Sequence, residues 1–246
     1  MTNIQKLALI GAFLLAGTTS QGAIIAGDVL VFDIGRTNAD VAGAETVGNW
    51  NNVTGTAGAA ASDITDAIRF SDGAGTDVGF RILAQEGGLS GIGGAVVGAP
   101  ATTAGLSFVG SGAIPTSAIQ DVAFLSNQSL GSSADSTNGF TFTGLDDSLT
   151  YTVSWISSIN AARDTLTWSV GGNNVDIDPE DNSTVYSFSG LSSSAGVLTV
   201  SIDIDQVTNG ETAHLNAVEL VAIPEPSTFA LVGIALGAVF FVRRRK

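Results

Sequence analysis

His214 is the only imidazole in this 246-residue chain, and there is no cysteine. Nucleophilic catalysis needs a nucleophile beside an oriented base. No G-x-S-x-G elbow occurs, and no serine motif points to His214, so it reads as a strand-edge or surface residue. Asp and Glu together number 23, so paired carboxylates are inevitable, and none is singled out as a glycosidase pair. The densest acidic cluster is Asp176, Asp178, Glu180 and Asp181, in the run VDIDPEDN. It offers the several oxygen donors that calcium takes, with Asp176 and Asp178 on one face of a strand and Pro179 opening a turn. The D-x-[DN]-x-[DN]-G loop is absent, and the same acids serve equally as a solvated edge that discourages strand-to-strand aggregation. Trp50 stands among Asn49, Asn51 and Asn52. An indole flanked by amides is a stacking platform for a sugar ring, which makes Trp50 and Asn51 candidate glycan contacts. Trp155 and Trp168 lie in strand patterns and are expected in the core.

The two ends carry a different chemistry. Lys6 precedes an apolar run from Leu7 to Ala16 and a small polar stretch, Gly17 to Gly22. Base, short apolar run and small residues before Ala23 form a secretory signal peptide over residues 1–22. The run is too short to cross a hydrocarbon core of ~30 Å. At the other end Pro224-Glu225-Pro226 precedes an uncharged stretch, Phe229 to Val242, and then Arg243, Arg244, Arg245 and Lys246. As a helix that stretch spans about 21 Å. Ser227 and Thr228 can extend it and the terminal bases can snorkel to headgroups, giving a short transmembrane helix. Four bases after an apolar run form a stop-transfer tail with the C-terminus cytoplasmic. Pro224 and Pro226 cannot join a helix interior and are expected to form a stiff, exposed hinge.

Tripeptide, apolar helix, arginine cluster and terminal position together resemble the PEP-CTERM sorting signal, here residues 223–246. The resemblance implies recognition by exosortase, a membrane cysteine transpeptidase of Gram-negative bacteria that make exopolysaccharide. It further implies export, transient anchoring in the inner membrane, processing near the motif, and delivery to the cell surface or extracellular matrix.

Between the ends lies one domain, residues 23–222. Five of the nine Lys and Arg and one of the 23 acids fall in the terminal segments, leaving Ala23 to Ile223 with four bases, 22 acids and a net charge of −18. Nucleic acid is excluded as a partner, because phosphate neutralisation needs a basic face. Without cysteine there is neither a disulfide framework nor a thiolate metal site. The hydrophobic pattern has period two. Strands are expected at Val29–Ile34, Val78–Ala84, Phe140–Thr143, Leu149–Ile156, Thr165–Val170, Thr184–Ser189, Gly196–Asp205 and His214–Val221. Gly, Asn, Asp and Ser punctuate them. One short helix is expected near Ser62 to Arg69, and a long loop from Ala84 to Ala104. The fold class is all-β, an antiparallel β-sandwich or jelly roll.

Phe32-Asp33-Ile34-Gly35, the stretch Gly144 to Tyr151 (GL-x-x-x-x-TY) and Leu215 to Leu220 (NA-x-E) resemble exported galactose-binding-like or malectin-like β-sandwiches. That resemblance implies carbohydrate binding. The expectation is a non-enzymatic exported surface or matrix protein that associates with extracellular polysaccharide and needs no cofactor, calcium at the acidic cluster being the one candidate. The alternatives are a secreted carbohydrate-active enzyme with the same tail and a purely structural matrix component.

Overall fold

The computed structural model describes residues 22–36, 45–55, 63–83, 85–90, 105–120, 122–125, 138–159, 165–180, 182–203 and 213–224. The expected signal peptide up to Gln21, the apolar stretch 229–242 and the basic tail Arg243 to Lys246 lie outside the described residues, as do Asp181, Glu225 and Pro226. Among those described, no helix is long and apolar enough to cross a membrane.

In chain order the elements are β1 (Val29–Arg36), β2 (Asn51–Gly55), β3 (Gly79–Leu83), β4 (Gln85–Ser90), β5 (Ser107–Phe108), β6 (Gly112–Ala113) and the one-turn helix α1 (Ser117–Gln120). There follow β7 (Val122–Leu125), β8 (Asn138–Thr143), β9 (Leu149–Ile156), β10 (Leu166–Val170), β11 (Asn173–Ile177), β12 (Tyr186–Ser192), β13 (Leu198–Asp203), β14 (Ala213–Leu215) and β15 (Ala217–Pro224). Two five-stranded sheets form the sandwich, ordered β12-β9-β15-β1-β2 and β11-β10-β13-β8-β3. Every pairing in them is antiparallel except β1 with β2. A smaller sheet, β14-β7-β4, and the hairpin β5-β6 complete the order.

Alternation decides which side chains meet. Leu30, Phe32 and Ile34 of β1 and Tyr151, Val153 and Trp155 of β9 point at Phe80, Phe140, Phe142, Trp168 and Val200 of the opposite sheet. Phe32 stacks on Phe80 with ring centroids 4.5 Å apart, and Trp155 lies 5.5 Å from Trp168. These aromatics are among the largest side chains buried in the core of a chain without disulfides. The other face of the first sheet is covered too. Val31, Ile156 and Ala217 pack there under Phe108, Ile114, Ala118 and Ile119, which come from the β5-β6 hairpin and α1.

The strand expectations stand, with three differences. Residues 63–69 form no helix; Ile64 bridges Phe80 and Ile68 bridges Gly75, so this stretch runs along the sheet edge. The stretch read as a long loop from Ala84 contains β4, and its residues 91–104 lie outside the described ones. The closing strand is broken at Asn216: β14 pairs with β7, whereas β15 enters the main sheet between β9 and β1. Asn216 is buried and accepts the Ser158 N–H at 2.8 Å, which lets the chain change sheets without stranding a backbone donor.

Candidate functional site

The sequence candidates separate once they are placed. Trp50 is only 6 % exposed and belongs to the cluster beneath the hairpin, with Val31, Phe108 and Ile119. A sugar cannot stack on a ring so enclosed, so the expectation of an aromatic platform at Trp50 is corrected. Its asparagine neighbours explain the burial. Asn51 donates to the carbonyls of Val31 and Ile68, both at 3.0 Å, and accepts the Ile68 N–H at 2.7 Å. Asn49 donates to the Phe70 carbonyl at 2.9 Å. The amides therefore tie the 64–70 edge segment to β1 and fold the indole inward. His214 is likewise corrected: it is fully buried in β14, opposite Phe124.

The described acids of the cluster, Asp176, Asp178 and Glu180, do not converge. Asp176 and Asp178 are exposed, as alternation required; Asp176 accepts the Thr167 hydroxyl at 2.7 Å, and Asp178 accepts the Glu180 N–H at 3.0 Å in a turn of its own. No group of three or more metal-ligating side chains forms among the described residues.

Pro224 is the described part of the sorting motif, and its position differs from the expected hinge. It is exposed and extended, yet it is the last residue of β15 and pairs with Leu149. Ile223 pairs with Thr150, whose hydroxyl reaches the Ile223 carbonyl at 3.4 Å. The strand thus runs two residues past the domain end expected at 222.

Around this end the turns are held firmly. Gly144 has φ +70°, and a Cβ there would lie 2.0 Å from the Asp77 carbonyl oxygen, so only glycine fits. Buried Tyr151 reaches back five residues: its Oη accepts the Asp146 N–H and donates to the Asp146 carbonyl, each at 2.9 Å. Burial pushes the Tyr151 phenol up to about 12. The Asp146 carboxylate accepts the Ser148 hydroxyl and N–H, and Asp147 accepts the Ser193 hydroxyl and the Gly196 N–H. Those bonds, led by the Ser148 and Ser193 hydroxyls, hold both carboxyls below the usual value of 3.8. The Gly144–Tyr151 pattern is thus a corner that joins β8 of one sheet to β9 of the other.

Glu219, the acid of the NA-x-E pattern, is fully buried on β15. Its carboxylate accepts the N–H groups of Gly110 and Ser111, the latter at 2.7 Å, and so clasps the hairpin tip. A Cβ at Gly110 would sit 2.8 Å from Val221 and 2.9 Å from Val29, so the tip approaches the sheet as only glycine can. Sequence reasoning marked the NA-x-E pattern as a family trait but did not see this clasp; the signal was an acid inside an otherwise apolar strand.

The outer face of the second sheet is different. Arg81, Thr141 and Thr199 form one row across it, and Ser201, Ser169 and Asn174 another. Asp203, Thr167 and Asp176 form a third. Every one of these residues save Thr141 is part-exposed or exposed.

Comparison with known proteins bears mainly on the tail. Residues 222–246 match the PEP-CTERM protein-sorting motif. No curated protein matches in sequence. Among solved structures, one of the Bacillus subtilis protein YXIM is similar over 81 % of this chain and 42 % of its own length, at 13 % identity and a TM-score of 0.37. The chain thus spans about two-fifths of that protein. The PEP-CTERM motif marks the chain as an exported protein sorted by exosortase.

Proposed function

We propose that the mature domain is a non-enzymatic surface or matrix protein that associates with exopolysaccharide through the polar outer face of its second sheet. The sorting motif supports this reading: the exosortase system it resembles belongs to bacteria that make exopolysaccharide, so a protein it sorts is expected to meet that polysaccharide. The face supports the contact. Rows of hydroxyl, amide and carboxylate groups on an open sheet face match the hydroxyl-rich edge of a polysaccharide by many weak, exchangeable hydrogen bonds. Its acids suit a neutral glycan better than an anionic one.

The purified domain, residues 23–224, is expected to co-sediment with neutral exopolysaccharide from an exosortase-bearing producer. Equal recovery with and without polysaccharide would sink this reading. The burial of Trp50 favours a second one, a structural matrix component without a discrete ligand. A non-binding domain whose deletion weakens the matrix would favour the second; a non-binding domain whose deletion leaves the matrix as strong would count against both.

A further inference from the structure

The last strand passes into the sorting motif without a spacer. The matched motif begins at residue 222, and β15 keeps its partners through Pro224. Ala222 is held on both sides: opposite Tyr151 in β9, and by its N–H to the Asp28 carbonyl at 2.9 Å and its carbonyl to the Gly27 N–H at 2.8 Å. β15 is also an interior strand, between β9 and β1. A substrate peptide must be extended and free of partners to enter an enzyme's cleft. Freeing residue 222 means breaking the last three pairs of β15 with β9 and both hydrogen bonds to Gly27 and Asp28, a two-sided opening that costs more than the fraying of an unpaired terminus.

We propose that this end of the sandwich, formed by Pro224 with the Ile25–Asp28 and Asp146–Ser148 turns, is the surface the sorting enzyme abuts, and that it acts as a steric stop. The enzyme engages the chain from Glu225 onward and opens a peptide bond beyond Pro224. The acyl carbon passes to the enzyme's thiol as the departing tail's nitrogen takes a proton, and then to water or an acceptor amine. The released domain keeps β15 complete. Neighbouring strands lie ~4.8 Å from the one that leaves, so a folded enzyme gripping Glu225 and Pro226 cannot avoid the ends of β9 and β1. Four residues lie between Pro224 and Phe229, five steps with a reach of about 17 Å at most, so this end of the sandwich is also the one that faces the membrane in the anchored precursor. The inference rests on the tail being a sorting signal.

The test uses the full-length precursor in exosortase-bearing cells, followed by pulse-chase and mass spectrometry of the released protein. One variant carries a flexible Gly-Ser spacer ending in proline between Pro224 and Glu225, and a second carries it at twice the length. Both leave β15 and a complete Pro-Glu-Pro intact. The expected wild-type product ends at or beyond Pro224, and the spacers speed tail loss severalfold, the longer at least as much as the shorter. A product ending before Pro224, or equal rates in all three chains, overturns the steric stop and leaves the sorting reading standing. Released protein that still ends in Lys246 overturns both.

Discussion

The two main sheets are built from the same number of strands but treat water differently. The first sheet, β12-β9-β15-β1-β2, is buried on its inner face by the sandwich core and over β1, β9 and β15 on its outer face by the hairpin and α1. The second, β11-β10-β13-β8-β3, packs its inner face into the core and turns hydroxyls, amides and carboxylates outward. The difference is written in the strands. β1 reads VLVFDIGR and β15 reads AVELVAIP, apolar on both faces with a single clasped or capped acid; β10 reads LTWSV and β13 reads LTVSID, strictly alternating. A doubly covered sheet is a scaffold, and its interior strand is the one that leads to the sorting motif. A half-covered sheet is a surface, available for contact.

The largest break in this comparison comes from uncovering the first sheet. Trp50→Ala removes the biggest side chain of the second cluster and is expected to cost about 3–5 kcal/mol, read from urea unfolding of the domain. An unchanged midpoint would mean that the outer cluster does not stabilise the sheet and that the two sheets are more alike than their burial shows. Glu219 underlines the point from the polar side. Truncating it would leave the Gly110 and Ser111 N–H groups without their shared acceptor beside a buried strand.

Alternation made much of this legible in the sequence. The eight strands expected from it correspond to strands of the fold, and Trp155 and Trp168 lie in the core as their patterns required. Trp50 was misread because its local setting is polar: the asparagines looked like solvent-facing groups, whereas their hydrogen bonds to residues 31, 68 and 70 are long-range and leave no trace in a window of neighbours. The segment from Ser62 misled for a related reason. A helix of eight residues is barely two turns, and the edge of β3 offered backbone partners that so short a helix could not match. The sorting motif was legible because its parts are contiguous. That its first proline belongs to the sheet was not, because the pairing with Leu149 spans the chain.

The sheets meet at the Gly144–Tyr151 corner, and a middle-sized effect is expected there. Tyr151→Phe leaves the Asp146 N–H and carbonyl without their shared partner and should cost about 1–2 kcal/mol. The pH dependence gives the mechanism. Folding raises the Tyr151 phenol from its ordinary value of 10.0 to about 12, so its contribution is whole below pH 10 and is lost as pH rises through that window. Wild-type unfolding free energy should therefore fall between pH 10 and 12 by an amount on the order of 2 kcal/mol, and Tyr151→Phe should flatten that fall. On the acid side the sign reverses. Asp146 and Asp147 titrate below 3.8 in the fold, so their contribution is present above that value and drains away as pH falls below it, in wild type and Tyr151→Phe alike. A variant that kept the full alkaline slope would show that the corner does not hold the phenol protonated.

The smallest effect on stability belongs to the open face, and there it carries the most functional weight. Ser169 and Asn174 face each other across β10 and β11, with Ser201 on the other side of Ser169. None of the three is buried. Ser169→Ala, Asn174→Ala and Ser201→Ala should each change unfolding free energy by no more than about 0.5 kcal/mol, because water replaces whatever the side chain gave up. If this face is the polysaccharide contact, the triple variant should still fold and yet co-sediment with polysaccharide severalfold less than wild type. Trp50→Ala would do the opposite in any fraction that remains folded, losing stability while keeping the contact. Stability and association would then map to different sheets, as coverage on one and exposure on the other require. Loss of both properties in the same variants would merge the two sheets into a single function and remove the open face as a separate site.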